Sequence, residues 1–306
     1  MPDTKRPGRT GLLPMSVVAA FTRLAYQRKF ISEEAGLRTL ARPKGPSKPP
    51  SAIMRRYEVS TSQEHGFDLH RVRPSGPDTG VTVIYLHGGA YTSEIVSQHW
   101  SLIGHIAART GHEVAVPIYG LAPDHQGLAA LSFVTAVIAD LVAEGRRCYL
   151  AGDSAGGGLA LLAAQAVSGE AGGVVGVTAI APWLDLSISN PEVDLIEPHD
   201  PWLRRPGLRP LAAAWAGSLP LRDPRLSPLF GDLSCLPPLQ ILVGTRDITL
   251  ADCRLLRDRL PSAVPLTYHE EPGALHVYPL LPVPEAGPGR EAVVTHIRST
   301  TRLTHP

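Results

Sequence analysis

Short runs of apolar and β-branched residues recur along the chain, and segments with helical periodicity separate them. The run at 81–86 is almost entirely β-branched or apolar, which is typical of a strand covered on both faces. Similar runs predict further strands at 113–118, 148–151, 174–180, 239–243 and 264–269. The segments between them predict helices at 97–109, 127–143 and 250–260, and one that begins at Ala155.

Two more strands are predicted ahead of this series. The segments 56–61 and 67–72 have the pattern of edge strands, and Gly66 between them favours a hairpin turn. Strands that alternate with helices predict an α/β domain with a mostly parallel, doubly wound sheet of eight strands. Side chains that perform chemistry should then lie at the carboxyl ends of the strands.

The N-terminal region departs from this alternation. Ser16 is a candidate N-cap for a first helix, and a second helix is predicted at 32–40. The segment 42–50 is too rich in proline for a helix or a central strand. We therefore predict that residues 1–50 form a helical arm with a proline-rich linker.

A second departure lies late in the chain. The segment 189–222 is long, rich in proline and contains one predicted helix at 206–216. This pattern indicates an insertion that folds over the sheet. Residues 51–306 are accordingly predicted to be one main domain that carries this insertion.

Composition narrows the class of protein further. The chain has 306 residues, 43% of them hydrophobic, and a net charge of +1, which gives no reason to expect nucleic acid as a partner. Residues 1–50 hold ten Lys or Arg against three acidic residues, which favours a solvated basic arm over a membrane-surface patch. No segment reaches the ~20 apolar residues that span a bilayer, so we expect a soluble protein without an integral membrane segment.

The cysteines bear on the compartment. Cys148, Cys235 and Cys253 are odd in number and widely spaced, which argues against a disulfide framework or a zinc site. The apolar run at 11–21 is short, lacks a clear cleavage site and leads directly into basic residues, so we interpret it as a helix of the arm. A cytoplasmic location is the expectation, and secretion is the alternative.

A candidate nucleophile lies between a predicted strand and a predicted helix. The motif Gly152-Asp153-Ser154-Ala155-Gly156 places a serine in a tight strand-to-helix turn, where it would be exposed at the top of the sheet. The flanking glycines relieve the clashes of such a turn, and the helix that begins at Ala155 points its amides at negative charge beside Ser154. Ser154 is therefore the predicted nucleophile.

A serine hydroxyl needs a base, and the base needs an acid that fixes its tautomer. Asp247 follows a predicted strand on a loop, whereas the competing Asp252 and Asp258 fall within the next helix and are expected to face solvent. His276 follows the last predicted strand, in the order expected for the base. Its rivals are His269, within that strand, and two histidines near the C-terminus, His296 and His305.

Acyl transfer also requires donors for the developing oxyanion. Gly88 and Gly89 lie just past a strand end and, with the amide of Ala155, are the predicted oxyanion hole. Substrate-pocket candidates are Ala90, Tyr91, Asp153, Trp183, Trp202 and Trp215, although core packing is at least as good an interpretation for the aromatic ones.

Taken together, these motifs resemble the bacterial hormone-sensitive-lipase family of α/β-hydrolases. The resemblance runs over roughly 80–285 and rests on motifs in the order of the family: His87-Gly88-Gly89-Ala90, Tyr119-Gly120-Leu121-Ala122-Pro123-Asp124-His125, Gly152-Asp153-Ser154-Ala155-Gly156, Asp223-Pro224-Arg225-Leu226-Ser227-Pro228, Asp247 and His276-Val277-Tyr278.

The resemblance implies an α/β-hydrolase fold with a helical cap made of the arm and the insertion. It places the catalytic serine, acid and histidine of the family at Ser154, Asp247 and His276, and a homodimer is possible on family grounds. Three positions depart from the family pattern: Ala90 stands for a third glycine, Ile248 for a frequent proline and Gly120 for a frequent arginine.

The sequence predicts a carboxylesterase that acts on small-molecule esters with short to medium acyl groups through an acyl-Ser154 intermediate. Neither a metal nor an organic cofactor is expected, because the chain has no H-E-x-x-H, P-loop or G-x-G-x-x-G motif. The alternatives are a specialised natural-product deacetylase or acyltransferase, and a catalytically silent ligand-binding receptor on the same scaffold.

Overall fold

An eight-stranded sheet forms the centre of the protein in a computed structural model that describes residues 12–168 and 173–302. The strands are β1 (Glu58–Glu64), β2 (Phe67–Arg73), β3 (Val81–Leu86), β4 (Glu113–Pro117), β5 (Arg147–Asp153), β6 (Val174–Ile180), β7 (Leu239–Gly244) and β8 (Leu266–Glu271). Their spatial order is β1-β2-β4-β3-β5-β6-β7-β8. The pairs β1–β2 and β2–β4 are antiparallel and the other neighbouring pairs are parallel, which confirms the predicted α/β class.

Helices cover both faces of this sheet. They are α1 (Met15–Ala25), α2 (Glu33–Leu40), α3 (Ser51–Arg56), α4 (Ser97–Thr110), α5 (Gly127–Ala143), α6 (Ala155–Ala166), α7 (Val193–Ile196), α8 (Arg205–Ala216), α9 (Leu250–Arg259) and α10 (Ala286–Thr301). Among the described residues, no helix combines the length and the apolar character that crossing a membrane would require.

The central strand β3 shows why the apolar run is continuous. Ile84 and Leu86 belong to the core cluster that includes residues of α5 and α6, whereas Val83 and Tyr85 belong to the cluster formed with α4 and α10. Every residue of β3 is buried, because side chains alternate between two covered faces.

In the described part of the N-terminal arm, residues 12–50, the structure has helices α1 and α2, and it corrects two predictions for residues 16 and 56. Helix α1 begins at Met15 directly after Pro14, so Ser16 lies inside the helix and is not its N-cap. Ser32 does cap α2, because its hydroxyl accepts a hydrogen bond from the Ala35 amide at 3.2 Å. The second correction is α3, which follows Pro50 and occupies the start of the strand predicted at 56–61. Pro50 is the N-cap residue of α3, with an extended ψ of 151°, and the helix begins at Ser51.

The arm packs closely on the insertion. The Gly207 amide in α8 donates to the Phe30 carbonyl at 2.9 Å. A Cβ on Gly36 would lie 2.2 Å from the Gly207 carbonyl oxygen, and a Cβ on Gly207 would lie 2.3 Å from Phe30 Cα. The two backbones approach so closely that neither glycine leaves room for a side chain.

Two predictions on the last β-α-β unit need correction. The final strand runs from Leu266 to Glu271 rather than over 264–269, because its register is fixed by pairing with β7. Asp252 is buried instead of facing solvent, because the first turn of α9 is covered by the loop that carries Asn190, whose amide donates to Asp252 at 3.1 Å. Asp258, two turns later, is exposed as expected.

Candidate active site

Ser154 sits in the turn between β5 and α6. Its backbone has φ 52° and ψ −121°, an uncommon conformation for a residue with a side chain. A Cβ on Gly152 would lie 2.4 Å from the Gly156 carbonyl oxygen, and a Cβ on Gly156 would lie 2.0 Å from that of Leu86. The glycines of the motif are therefore required by the close contact of α6 with the sheet.

Ser154 is hydrogen-bonded to His276 from the loop after β8, and His276 is hydrogen-bonded in turn to Asp247 from the loop after β7. The distance from Ser154 Oγ to His276 Nε2 is 2.8 Å, and the distance from His276 Nδ1 to Asp247 Oδ2 is also 2.8 Å. With the proton on Nδ1, the imidazole donates to the carboxylate and accepts from the serine hydroxyl. The structure thus brings together all three residues of the predicted triad.

The surroundings set the basicity of His276. Burial alone would lower its pKa, but the charge of Asp247 and the hydrogen bond to it raise the pKa of His276 above its ordinary value. Asp247 is fully buried, and its Oδ1 accepts a hydrogen bond from the Thr249 amide at 3.0 Å. This arrangement holds one tautomer and favours the charged imidazolium.

The predicted oxyanion donors need one correction. The Gly88 amide donates to Asp153 Oδ1 at 3.1 Å, so it is engaged by a carboxylate. In the part of the chain that the structure describes, the amides of Gly89, Ala90 and Ala155 donate to no acceptor. The candidate oxyanion donors are therefore the amides of Gly89, Ala90 and Ala155, and Gly88 is no longer among them.

The backbone of this loop explains the shift. Gly89 has φ 126°, a conformation that favours glycine, and Ala90 has φ 52°. A Cβ on Gly88 would lie 2.3 Å from Asp153 Oδ2, so the absence of a side chain there admits the carboxylate rather than a ligand. The first glycine of the motif serves the structure, and the following two residues face the cavity.

Asp153 is a structural link as well as a cavity residue. Its Oδ1 accepts a hydrogen bond from the Tyr85 hydroxyl at 2.7 Å, and its Oδ2 lies 3.3 Å from His99 Nε2. Burial raises the pKa of Asp153, but the opposing charge of His99 and the hydrogen bonds from His99, Tyr85 and the Gly88 amide bring it below its ordinary value. These bonds tie the serine turn to β3 and α4.

A cavity of about 600 Å³ opens above Ser154. Residues after the strands line one side of it, including Gly89, Ala90, Ser154, Trp183 and His276. The arm and the insertion line the other side, mostly with apolar side chains: Val18, Phe21, Tyr26, Phe30, Trp202, Leu203 and Leu208.

The aromatic candidates divide into two groups. Trp183 and Trp202 line the cavity. Tyr91 and Trp215 are not among the described residues that line it, because they stack on each other as buried neighbours with ring centroids 4.1 Å apart. The sequence alone does not distinguish the aromatic residues that line the cavity from those that pack behind it, since both groups lie near glycine-rich or proline-rich segments.

Sequence reasoning missed several cavity residues and one buried acid. Phe21 and Leu208 are on the arm and the insertion, and their apolar positions signalled packing rather than contact with a ligand. Asp200 is fully buried beside the loop that carries Asp247. Nothing in the sequence distinguishes this carboxylate, within a proline-rich insertion, from a surface residue.

A family model for the alpha/beta hydrolase fold matches residues 83–280. An acetyl-hydrolase of Streptomyces hygroscopicus is 34% identical over 69% of this chain and 73% of its own length. An esterase of Acinetobacter venetianus is 29% identical over 59% of this chain and 61% of its own length. A crystal structure of an esterase from the bacterial hormone-sensitive lipase family superposes with a TM-score of 0.78 at 24% identity, over 94% of this chain and 98% of that one.

Proposed function

Because the chain belongs to the α/β-hydrolase family, we propose that it is a carboxylic ester hydrolase with Ser154 as its nucleophile. The resemblance to bacterial hormone-sensitive-lipase esterases that the motifs predict is confirmed by the family match and the shared fold. The proposal rests above all on the two 2.8 Å hydrogen bonds that join Ser154, His276 and Asp247 beneath one cavity. The relatives named acetyl-hydrolase and esterase agree with this class of reaction.

The geometry supports a two-step acyl transfer. As Ser154 Oγ attacks the ester carbonyl, its proton moves to His276 Nε2, and Asp247 stabilises the imidazolium. The C–O bond to the alcohol then breaks, the alcohol takes the proton from His276, and the acyl group remains on Ser154. In the second step water loses a proton to His276 and attacks the acyl carbon, and Ser154 Oγ recovers the proton as the acid leaves.

Each tetrahedral intermediate places a negative charge on the former carbonyl oxygen. Among the described residues the amides of Gly89, Ala90 and Ala155 have no acceptor, so we expect them to donate to that oxygen; Ala155 is the first residue of α6. Fixed amide donors of this kind stabilise the transition state by several kcal/mol, and a helix N-terminus adds a favourable dipole.

The cavity favours esters with short to medium acyl chains. Its volume of about 600 Å³ lies within the range of small-molecule sites, and its far wall is largely apolar. In this proposal the arm and the insertion together form the cap over the site. A specialised deacetylase is the second candidate, favoured by the 34% identity to an acetyl-hydrolase.

Hydrolysis of p-nitrophenyl acetate, butyrate and octanoate by the parent and by Ser154→Ala tests the proposal. We expect activity in the parent and a loss of ~10³-fold or more in the variant. A profile that peaks at acetate and falls steeply would favour the deacetylase. An inactive parent that also fails to react with a fluorophosphonate would contradict both enzymes and support a silent receptor.

A further inference from the structure

Asp200 is a buried carboxylate that the proposed reaction does not use. It lies in the insertion shortly before α8 and is fully buried. Its Oδ1 accepts hydrogen bonds from the amides of Trp202 and Leu203, at 2.7 and 3.0 Å. One oxygen of the carboxylate therefore fixes the backbone of its own segment.

The other oxygen reaches across to the loop that carries the candidate acid. Asp200 Oδ2 accepts a hydrogen bond from the Ile248 amide at 3.0 Å, and Ile248 directly follows Asp247. On the other side of Asp247, Arg246 Nε donates to the His199 carbonyl at 3.3 Å. Two neighbouring residues of the insertion thus hold the loop on both sides of Asp247.

The same segment contacts the imidazole. The Trp202 ring meets the His276 ring edge to face, with centroids 5.7 Å apart and planes at 83°. Behind it, the Trp202 ring packs on Tyr26 of the arm, with centroids 5.1 Å apart. Asp200 binds the Trp202 amide and so fixes the backbone of Trp202. The ring of Trp202 in turn limits the movement of His276.

We propose that Asp200 is a positioning residue: through the Ile248 amide it orients Asp247, and through Trp202 it restrains His276. The insertion is then part of the catalytic geometry as well as a wall of the cavity. The proposal rests on the proposed function, because it assigns Asp200 to the alignment of that triad. It also accounts for Ile248, whose amide supplies the bond that a proline at this position would lack.

Asp200 interacts electrostatically with both Asp247 and His276. Burial and the charge of Asp247 raise the pKa of Asp200 above its ordinary value, against the hydrogen bonds from Leu203 and Trp202 and the charge of His276. The guanidinium groups of Arg204 and Arg246 bind backbone carbonyls of this segment. In turn, the charge of Asp200 is one of the contributions that raise the pKa of His276.

Asp200→Asn is the principal test, because the amide is isosteric but places a donor opposite the Ile248 N–H. We expect kcat for p-nitrophenyl butyrate to fall by ~10- to 100-fold while KM stays within about threefold, since the loss is one of alignment. Removing the charge should also move the acid limb of the pH profile to lower pH, because one contribution that raises the pKa of His276 is lost.

Asp223→Asn is the matched control. Asp223 also accepts a backbone amide two residues ahead, from Arg225 at 2.9 Å, but it does not line the cavity of the described structure. We expect its kcat and pH profile to match the parent within about twofold. If Asp200→Asn does not fold, Asp200→Ser replaces it, because serine keeps the local acceptor but is too short to reach Ile248.

Titration of active sites with a fluorophosphonate separates alignment from folding. A normal kcat per titrated site in the Asp200 variant, or an unchanged pH profile, would overturn the proposal. The downfield proton resonance of His276 Nδ1–H gives a readout that needs no turnover: it should shift in Asp200→Asn and stay unchanged in Asp223→Asn. If the parent hydrolyses no ester but this resonance still shifts, the proposed function fails while the positioning role stands.

Discussion

The two sides of the active-site cavity are built differently. On the sheet side, Ser154, Asp247 and His276 lie on short loops after β5, β7 and β8, and hydrogen bonds connect them directly. On the other side, the arm and the insertion contribute mostly apolar side chains, and Phe21 and Leu24 of α1 remain 61% and 66% exposed. In the proposed function, the sheet side provides reactive groups at fixed positions, and the other side provides a surface for substrate.

This difference follows from the elements that carry the residues. Parallel strands in register bring their carboxyl ends to one edge, so residues far apart in the chain meet with little freedom. In the described residues, the arm and the insertion have no such ladder and depend on packing against each other. Asp200 and Trp202 are exceptions, because they belong to the insertion but contact the sheet side. Asp200 contacts the loop that carries Asp247, and Trp202 contacts the His276 ring.

The largest expected effect is at the acid of the sheet side. Asp247→Asn should lower kcat by ~10³- to 10⁴-fold, because the amide no longer stabilises the imidazolium or holds the required tautomer. Asp258→Asn is the matched control, since Asp258 is exposed on α9 and should retain nearly full activity. Steady-state kinetics on p-nitrophenyl acetate measures both. Near-parental activity in Asp247→Asn would remove this carboxylate from the proposed mechanism.

The second prediction concerns the contact between the arm and the insertion. A Cβ on Gly36 would lie 2.2 Å from the Gly207 carbonyl oxygen and 2.6 Å from Pro210 Cγ, so Gly36→Ala should destabilise the fold by ~1–3 kcal/mol through overpacking. Gly287→Ala is the control, because Gly287 is an exposed position of α10 where a Cβ would have no described atom within 4 Å. Alanine there should stabilise the helix by up to ~1 kcal/mol.

Denaturant unfolding gives both values, and their opposite signs make the comparison sharp. Equal stability of the two alanine variants would mean that the arm can move away from α8 without a loss in the free energy of unfolding. The KM for p-nitrophenyl octanoate should rise only in Gly36→Ala, because only that change displaces a wall of the cavity.

How much the sequence revealed also differs between the two sides. The close arrangement of Ser154, Asp247 and His276 was predictable, because each follows a recognisable strand and strand order constrains where their loops meet. The candidate oxyanion loop was predictable in part: the pattern indicated a glycine pair, but it gave no sign that the Gly88 amide donates to Asp153. The position of Tyr91 behind the cavity and the burial of Asp200 could not be predicted from the sequence. Whether an aromatic ring lines a cavity, or a carboxylate is buried, depends on packing between distant segments.

The third prediction concerns pH. His276 accepts the serine proton only when the imidazole is neutral. Burial alone would lower the pKa of His276, but the interaction with Asp247 outweighs burial. The pKa of His276 therefore lies above its ordinary value of 6.5. As pH falls through that raised pKa the imidazole becomes charged and kcat/KM falls. The acid midpoint of kcat/KM should therefore lie above 6.5. A profile at constant ionic strength measures it, and a midpoint below that value would contradict the dominance of Asp247 over burial.

The smallest effect is expected at Tyr91, which lies behind the cavity rather than on either wall. Its ring stacks on Trp215 at 4.1 Å, and among the described residues its buried hydroxyl has no hydrogen-bond partner. Tyr91→Phe keeps the ring and removes an unsatisfied polar group, so stability should stay equal or rise by up to ~1 kcal/mol. Kinetic constants for all three p-nitrophenyl esters should be unchanged. Trp183→Phe gives the contrast, since Trp183 lines the cavity and its truncation should change KM with acyl length. A Tyr91→Phe variant that altered the chain-length profile would instead place this hydroxyl in contact with substrate.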